Sequence, residues 1–325
     1  MRIGYFLSSE QFGIHDLVRQ ARRAEEAGFA GLWLSDHYHP WNEAQGHSPF
    51  VWSTIGAVAQ ATERIPLTTA VTCPTVRIHP AVIAQAAATS AVLLDGRFRL
   101  GVGTGEALNE HIVGGRWPAA AERLEMLEEA IEVMRLLWQG GSRSHRGRHY
   151  TVENARIYDL PETPTPIFVS GFGRRSIALA ARVGDGFCTV APDGDAVAAF
   201  REQGGGEKLV QGGMKVCYGD DAAAAREVAH RLWPTEALPG ELAQILPMPA
   251  HFEQACSLID ADMVAEKIPC GPDLAAHFDR LEQYERAGFD EVYVQQVGPD
   301  LEGFFAAYEH EILRRYPAAA AALGA

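Results

Sequence analysis

Apolar runs that predict strands alternate with helix-like stretches along almost the whole chain. Between these runs, apolar residues recur about every 3.6 positions, which is typical of amphipathic helices. The clearest helix is predicted over 119–139, where Leu124, Leu127, Ile131 and Met134 fall on one stripe. The predicted strands are 3–7, 31–34, 67–72, 98–102, 167–170, 186–190, 214–218 and 291–295.

Strands that alternate with helices form a parallel sheet, and eight of them can close into a (β/α)8 barrel. An open doubly wound sheet is the competing architecture. The number of strands and the positions of the polar residues favour the TIM barrel. We therefore predict an α/β protein in which residues 1–325 form one barrel domain with insertions.

Two stretches interrupt the alternation of strands and helices. Residues 145–166 indicate a hairpin followed by a proline-rich connector. Residues 234–262 form a long insertion, which is typical of a lid or a partner contact and equally compatible with a loosely packed excursion. The alanine-rich segment 317–325 is predicted to fray.

The charge balance narrows the set of partners. The net charge is −14, with 42 acidic and 28 basic side chains, which argues against nucleic acid and anionic membrane surfaces. No apolar run reaches the ~18 residues that a membrane span requires. Five cysteines without a C-x-x-C pair are typical of reduced thiols. We expect a soluble cytoplasmic protein that binds a small molecule.

Polar and glycine residues follow the predicted strands at their carboxyl ends, where a (β/α)8 barrel builds its active site. Glu10 follows the first strand, Asp36, His37 and Trp41 follow the second, and Glu106 follows the fourth. A histidine beside carboxylates can exchange protons near neutral pH. The alternative for the Asp36–His37 pair is a capping aspartate next to a surface histidine. Because the opposite strand ends lack such residues, the pattern favours an enzyme.

Two glycine-rich strand ends are candidate ligand sites. The G-x-G-x-G string at 101–105 lacks the spacing of a dinucleotide-binding fingerprint. The turn of Gly171, Phe172 and Gly173 precedes a predicted helix at 177–183, and amides at a helix start bind anions. The alternative is that these glycines only permit a tight turn. The sequence shows neither metal-ligand spacing nor a Ser/His/Asp set, so we expect no metal site.

Five segments together resemble the luciferase-like family of flavin and deazaflavin oxidoreductases. They are S-x-E-Q-F at 8–12, S-D-H-Y-H-P-W at 35–41, T-C-P-T-V-R-I-H-P-A-V-I-A-Q at 72–85, G-V-G-T-G-E-A-L-N-E at 101–110 and V-G-D-G-F at 183–187. The chain is most similar to the branch that uses the deazaflavin coenzyme F420, which includes glucose-6-phosphate and secondary alcohol dehydrogenases. The resemblance covers the first 190 residues.

The resemblance implies a homodimeric barrel with the deazaflavin in its mouth. It places His37, Trp41 and Glu106 in the catalytic group, with Glu10 as a nearby carboxylate. It also implies a non-proline cis peptide between Ala70 and Val71. The cofactor contacts that it implies are Asp36, Ala70, Val71, Cys73, Asn109, Gly171, Phe172, Gly173 and Ser176.

The substrate side departs from the sugar-phosphate members of that branch. Those members carry a Thr and a Lys after the sixth strand, where this chain has Val190 and Asp193. Lys208, Lys215 and Lys267 fall in no recognisable motif. With Val190 and Trp41 as substrate contacts, we expect an uncharged alcohol, sugar or ketone rather than glucose 6-phosphate.

The expected reaction is hydride transfer between the deazaflavin C5 and an alcohol or sugar carbon. It needs a base for the hydroxyl proton and an acid or dipole near ring nitrogen N1. His37 and Glu106 are the candidates, with their individual roles left open. The alternatives are an FMN-dependent monooxygenase of the same family and a non-catalytic flavin- or deazaflavin-binding protein.

Overall fold

Eight parallel strands close into a barrel in this computed structural model, which describes residues 1–317. The predicted (β/α)8 TIM barrel is therefore confirmed. The strands are β1 (Arg2–Leu7), β2 (Leu32–Leu34), β3 (Leu67–Thr69), β4 (Phe98–Val102), β5 (Arg143–Arg146), β6 (Thr151–Ala155), β7 (Ile167–Ser170), β8 (Gly186–Thr189), β9 (Leu209–Val216) and β10 (Glu291–Gln296). Around the barrel the order is β1-β10-β9-β8-β7-β4-β3-β2, and β5 and β6 form a separate hairpin.

Helices connect the strands, and most of them pack their apolar faces on the outside of the barrel, whereas the helices within residues 222–265 border a separate apolar cluster. They are α1 (Ile14–Ala27), α2 (Val51–Ala61), α3 (Pro80–Leu93), α4 (Ala107–Glu110), α5 (Ala120–Leu137), α6 (Arg174–Val183), α7 (Gly194–Phe200), α8 (Ala222–Leu232), α9 (Leu242–Ile245), α10 (Pro249–Ala255), α11 (Ala261–Ala265), α12 (Leu274–Arg286), α13 (Leu301–Ala307) and α14 (Leu313–Arg315). Helix α5 matches the predicted 119–139, and α6 begins three residues before the predicted 177. Residues 318–325, most of the segment predicted to fray, lie outside the described residues.

Two predicted strands have wrong boundaries. The third was expected to continue to Thr72, but β3 ends at Thr69; a cis Ala70–Val71 peptide follows, and Thr72 returns to Val102 of β4 only through an isolated bridge. That cis bond confirms the expectation from the resemblance. The seventh was predicted over 214–218, whereas β9 runs from Leu209 to Val216. The first half of β9 was missed because the glycine pair 212–213 resembles a turn. Gly213 instead faces the inside of the barrel, where a Cβ would lie 2.7 Å from the Trp33 ring.

Aromatic side chains and paired charged side chains fill the amino-terminal half of the barrel interior. Trp33 stacks on Tyr293, with ring centroids 4.7 Å apart and planes 6° apart. Glu291, at the start of β10, pairs with Arg2 and Arg99. These contacts fill the amino-terminal half of the barrel, so the space for a ligand lies towards the carboxyl ends of the strands.

Both interruptions of the barrel have defined structure. The predicted hairpin is formed by β5 and β6. The insertion at 234–262 folds into a short 3-10 turn (Pro234–Ala237) and helices α9, α10 and α11. It shares an apolar cluster with Trp233, Ile259 and Val264, and Trp41 packs against that cluster. The insertion is therefore part of the packed structure and not a loose excursion.

Within residues 1–317, no helix combines the length and the apolar character needed to cross a membrane.

Candidate active site

Side chains from the loops after β1, β2 and β4 meet at the carboxyl end of the barrel. His37 lies at the centre of this group. Its Nε2 atom is 3.3 Å from Oε1 of Glu10 and 3.6 Å from Oε2 of Glu106. Its Nδ1 atom is 3.1 Å from the carbonyl oxygen of His39. The imidazole can therefore exchange a proton with either carboxyl group.

Glu10 is fixed by two hydroxyl groups. Its Oε2 accepts hydrogen bonds from Ser8 Oγ at 2.8 Å and from Ser35 Oγ at 2.7 Å. Only 3 % of the Glu10 side chain is exposed. These bonds leave Oε1 directed at His37, so Glu10 orients the imidazole from inside the barrel. The two serines stand in the quoted strand-end segments, but no sequence pattern pairs them with Glu10.

Glu106 occupies the more open side of His37, with 29 % of its side chain exposed. Burial raises the pKa of Glu106 and the neighbouring Glu10 carboxylate adds to the rise, whereas His37 opposes it. Glu106 therefore keeps a proton to higher pH than an ordinary glutamate does. A carboxyl group with a raised pKa beside a histidine is a common arrangement for general acid–base chemistry.

Asn109 connects the loop after β2 to Glu106. Its Oδ1 accepts hydrogen bonds from the backbone amides of Tyr38 at 2.8 Å and His39 at 3.2 Å. Its Nδ2 donates to Oε2 of Glu106 at 3.1 Å. The Asn109 side chain therefore ties the loop after β2, which carries His37, to Glu106 after β4. These bonds hold His37 and Glu106 at a fixed distance from each other.

Asp36 is buried in an ion pair. Its Oδ1 accepts from Nη2 of Arg77 at 2.7 Å, and its Oδ2 accepts from Thr72 Oγ1 at 2.9 Å. Oε2 of Glu110 accepts the backbone amide of Arg77 at 2.6 Å, and burial raises the pKa of Glu110 to about 7 although Arg77 opposes this. Sequence reasoning missed Arg77 and Glu110, although both stand within the quoted segments.

Trp41 forms a wall of the site beside His37. The two ring centroids are 5.1 Å apart. The Trp41 amide donates to Oε1 of Gln45, whose Nε2 donates to the carbonyl oxygen of Leu232 at the end of α8. On its other side, Trp41 meets Phe252 of α10. Thus α8 and the insertion support the loop after β2 that carries His37 and Trp41.

The residues after β3 and β4 are packed closely together. Val71 of the cis peptide lies against Gly103, where a Cβ would come within 2.8 Å of Val71 Cγ2. Cys73 is buried, with its Sγ 3.0 Å from Thr75 Oγ1. Gly105 has a φ of +78°, and a Cβ there would lie 2.4 Å from the Cys73 sulfur. A glycine is required at this position for both reasons.

The turn before α6 is ordered by Ser176. Its Oγ accepts from the amides of Phe172 at 3.2 Å and Gly173 at 3.1 Å. Phe172 is 57 % exposed at the carboxyl end of β7. Arg174 and Arg175 are exposed in the first turn of α6, where the helix dipole also favours an anion. These groups suit an acidic part of a ligand.

The residues after β8 are apolar or already bonded. Val190 is half exposed, and its carbonyl oxygen accepts from the Tyr284 hydroxyl at 3.2 Å. Asp193 caps α7, with Oδ1 accepting the amide of Ala196 at 3.0 Å. Asp193 is therefore used as a helix cap.

Lys215 of β9 also lies in the barrel mouth, which sequence reasoning missed. Its Nζ is 2.7 Å from Oε1 of Glu236 in the insertion. The signal that could have found Lys215 is the alternation of side chains along β9, in which every second residue faces the barrel interior. This alternation can be followed along the whole strand only when its start at Leu209 is known.

Comparisons with known proteins agree with this geometry. Residues 1–291 match the model of the luciferase-like monooxygenase family. The chain belongs to that family. It is 36 % identical to an F420-dependent glucose-6-phosphate dehydrogenase of Microbacterium testaceum, over 97 % of both chains. It is 37 % identical to one of Kribbella flavida, over 96 % of this chain and 97 % of the relative.

A solved structure extends the agreement to three dimensions. An F420-dependent secondary alcohol dehydrogenase in complex with an F420-acetone adduct superposes with a TM-score of 0.88. The match has 30 % identity and covers 95 % of this chain and 97 % of the other. The resemblance inferred from the five sequence segments is therefore confirmed for the family and for the barrel.

Proposed function

We propose that this protein is an F420-dependent oxidoreductase that moves a hydride between the deazaflavin and a carbon of an uncharged alcohol or sugar. The observation that carries the proposal is His37, with its Nε2 between the carboxyl groups of Glu10 and Glu106. The dehydrogenases named above support the choice of cofactor. The proposal includes the reverse reduction of the corresponding carbonyl compound.

The residues at the barrel mouth fit such a cofactor. The stretch at Ala70 and Val71, braced against Gly103, offers a firm surface for a planar ring. The start of α6 with Arg174 and Arg175 offers cations and amides for an acidic tail. One end of the barrel thus supplies both kinds of contact that a deazaflavin with an anionic side chain needs.

Oxidation of an alcohol carbon releases a hydride and the hydroxyl proton. The bound deazaflavin would accept the hydride at C5. The protein must take the proton and must place an acid or a dipole near the ring nitrogen that gains electron density. His37 and Glu106 form the pair for these two tasks, and Glu10 holds His37 in place.

An uncharged substrate suits the residues around the pair. Trp41 and Val190 present apolar surface. Asp193 stands where the sugar-phosphate enzymes carry a lysine, and its carboxylate would repel a phosphate. A secondary alcohol or an unphosphorylated sugar avoids that repulsion.

The first experiment is a fluorescence titration of the protein with F420 and, separately, with FMN. Binding of F420 at micromolar concentrations with weak FMN binding is expected. Alcohols and sugars are then screened by loss of the oxidised F420 absorbance. A preference for FMN would instead indicate an oxygen-using monooxygenase.

A variant separates an enzyme from a binding protein. His37→Asn should lower kcat by about 10²–10⁴-fold, the usual contribution of general acid–base catalysis, while F420 affinity changes little. If turnover survived this substitution, His37 would have no catalytic role.

A further inference from the structure

Lys215 points into the barrel next to a second polar side chain. Residues at every second position of β9 share a face, and Gln211, four residues earlier, bonds Tyr293 and Glu291 inside the barrel. Lys215 is therefore on the interior face. Its partner in the register of β10 is Gln295, which lies on the same face as Tyr293. The two side chains form one layer near the carboxyl ends of the strands.

Gln295 is fully buried, and neither its Oε1 nor its Nε2 is bonded within residues 1–317. A buried amide without partners is costly in a native protein, and such a group commonly awaits a ligand or a water molecule. The amide offers two N–H donors and a carbonyl acceptor, so it can both donate to and accept from a hydroxyl group. This layer is therefore suited to receive an uncharged hydroxyl compound.

The ammonium group of Lys215 is already occupied. Its Nζ lies 2.7 Å from Oε1 of Glu236 and 4.4 Å from the ring centroid of Trp233. Only 13 % of the Lys215 side chain is exposed. Trp233 and Glu236 belong to the end of α8 and the 3-10 turn that begins the insertion. The insertion thus places a carboxylate directly on the lysine.

Lys215 belongs to the same mouth as the catalytic pair. Burial raises the pKa of Glu106, whereas His37 and, to a smaller extent, Lys215 oppose this rise. A charge acts on a carboxyl group in this way only from nearby. Because Lys215 lies near the carboxyl end of β9 and Glu106 follows β4, both side chains border the mouth of the barrel, where a substrate would bind.

We propose that Glu236 determines the substrate class of this enzyme: it neutralises Lys215 and so excludes phosphorylated substrates in favour of uncharged hydroxyl compounds. The carboxylate satisfies the ammonium and repels an approaching phosphate, and Glu10 and Glu106 add to the negative charge. Without the Glu236 charge, Lys215 would be a strong partner for a phosphate oxygen. The inference deepens the proposed function and rests on it for the choice of reaction.

The test begins with binding, which does not depend on turnover. Inorganic phosphate is titrated calorimetrically into the full-length wild type, Glu236→Gln and Glu236→Ala. The neutral variants should bind phosphate about tenfold or more tightly than the wild type, since a hydrogen bond to a charged group contributes this much. The alanine variant is included because the side-chain amide introduced by Glu236→Gln could still accept a hydrogen bond from Lys215, whereas alanine cannot.

Two controls assign the gain to Lys215. Glu241→Gln removes one negative charge from an exposed position of the same insertion and should leave phosphate binding unchanged. Lys215→Met in the Glu236→Gln background should abolish the gain, whereas phosphate bound at the start of α6 would remain. Melting temperatures of all variants verify that each one folds.

The second measurement compares kcat/KM for glucose 6-phosphate and for glucose with F420 present. Glu236→Gln should raise the kcat/KM for glucose 6-phosphate, divided by that for glucose, by about tenfold. The proposal is overturned if neither neutral variant gains phosphate affinity, or if the gain survives Lys215→Met. Failure to bind F420 would overturn the proposed function and leave the phosphate result standing, so the two failures are distinguishable.

Discussion

Phe252 stands edge-on against Trp41, with ring centroids 5.2 Å apart and planes at 87°. Phe252 belongs to α10 of the insertion and is fully buried, whereas Trp41 lies in the loop after β2. Because Trp41 also contacts His37, this aromatic pair connects the insertion to the group formed by His37, Glu10 and Glu106. The insertion therefore determines the shape of the site as well as its charge.

Replacing Phe252 should impair catalysis through the position of Trp41. Phe252→Leu removes the edge-to-face contact and leaves a small cavity, so the melting temperature should fall. Misplacement of a positioning group commonly reduces turnover, and we expect kcat to fall about tenfold to a hundredfold. F420 affinity, measured by fluorescence, should change much less than kcat.

Phe200→Leu is the matched control for Phe252→Leu. Phe200 is also fully buried and stacks on Phe187 at 5.0 Å, behind β8 and away from the catalytic group. It should lower the melting temperature to a similar extent and leave kcat unchanged. Equal effects of the two substitutions on kcat would assign Phe252 a purely structural role.

The raised pKa of Glu106 should appear in the pH dependence of alcohol oxidation. Burial, with Glu10, favours the protonated form, so the fraction of ionised carboxylate grows at higher pH than for an ordinary glutamate. If this carboxylate accepts a proton in the reaction, kcat should rise through that pH range. Glu106→Gln should remove the rise and lower kcat by about 10²–10⁴-fold.

Glu227→Gln serves as the control for Glu106→Gln, because Glu227 is exposed on α8. Its pH profile should match that of the wild type. Persistence of the rise in kcat in Glu106→Gln would assign the titration to another group.

The hairpin β5–β6 should depend on one carboxylate of α5. Glu129 accepts the backbone amides of Arg148, His149 and Tyr150 at 3.1, 2.9 and 2.8 Å. Burial tends to raise the pKa of Glu129, but the amides of Tyr150 and His149 and the His145 side chain outweigh it and hold the pKa below its usual range. Glu129→Ala should lower stability by about 1–3 kcal/mol, because hydrogen bonds to a charged group are lost.

Hydrogen exchange locates the effect of Glu129→Ala. Amides of residues 143–155 should exchange faster, while those of the barrel strands keep their protection. Glu132→Ala removes an exposed carboxyl group from the same helix and should change neither quantity. Unchanged exchange in the hairpin of Glu129→Ala would show that these three bonds do not stabilise it.

The extent to which this molecule follows from its sequence depends on the range of each interaction. Apolar periodicity predicts the barrel because strands and helices are local, and the strand ends locate Glu10, His37 and Glu106 without any knowledge of pairing. The cis bond at Ala70 came from the resemblance, since no local pattern marks it. The same resemblance identified Asn109, whose bonds join two separate loops.

Most of the contacts that were missed join distant parts of the chain. Arg77 and Asp36 are 41 residues apart, and their pairing depends on how two strand-end loops approach each other. Lys215 requires the phase of β9, which the glycines at 212–213 concealed. Its partner Glu236 lies in an insertion whose path is set by the apolar cluster around Trp233. Neither the path of the insertion nor the pairing of Lys215 with Glu236 can be deduced from spacing along the sequence.

Acid stability should depend on His277. This residue of α12 is fully buried, with its Nδ1 3.0 Å from the Tyr308 hydroxyl. Burial lowers the pKa of His277 to about 4, although Asp273 opposes this. In the unfolded chain the pKa of a histidine is about 6.5. The folded state therefore has its full stability at pH values above about 6.5, where His277 is neutral in both states, and it loses stability as the pH falls from about 6.5 towards 4. The loss amounts to about 3 kcal/mol for a shift of this size.

The measurement is urea unfolding of the wild type and of His277→Gln at several pH values between 7 and 4. Glutamine cannot become charged, so the variant should lose less unfolding free energy over this range, whatever its stability at pH 7. His310 is exposed in the short π-helical segment Tyr308–Ile312 that follows α13, and His310→Gln should keep the wild-type dependence on pH. Parallel curves for the wild type and His277→Gln would mean that other groups cause the acid sensitivity.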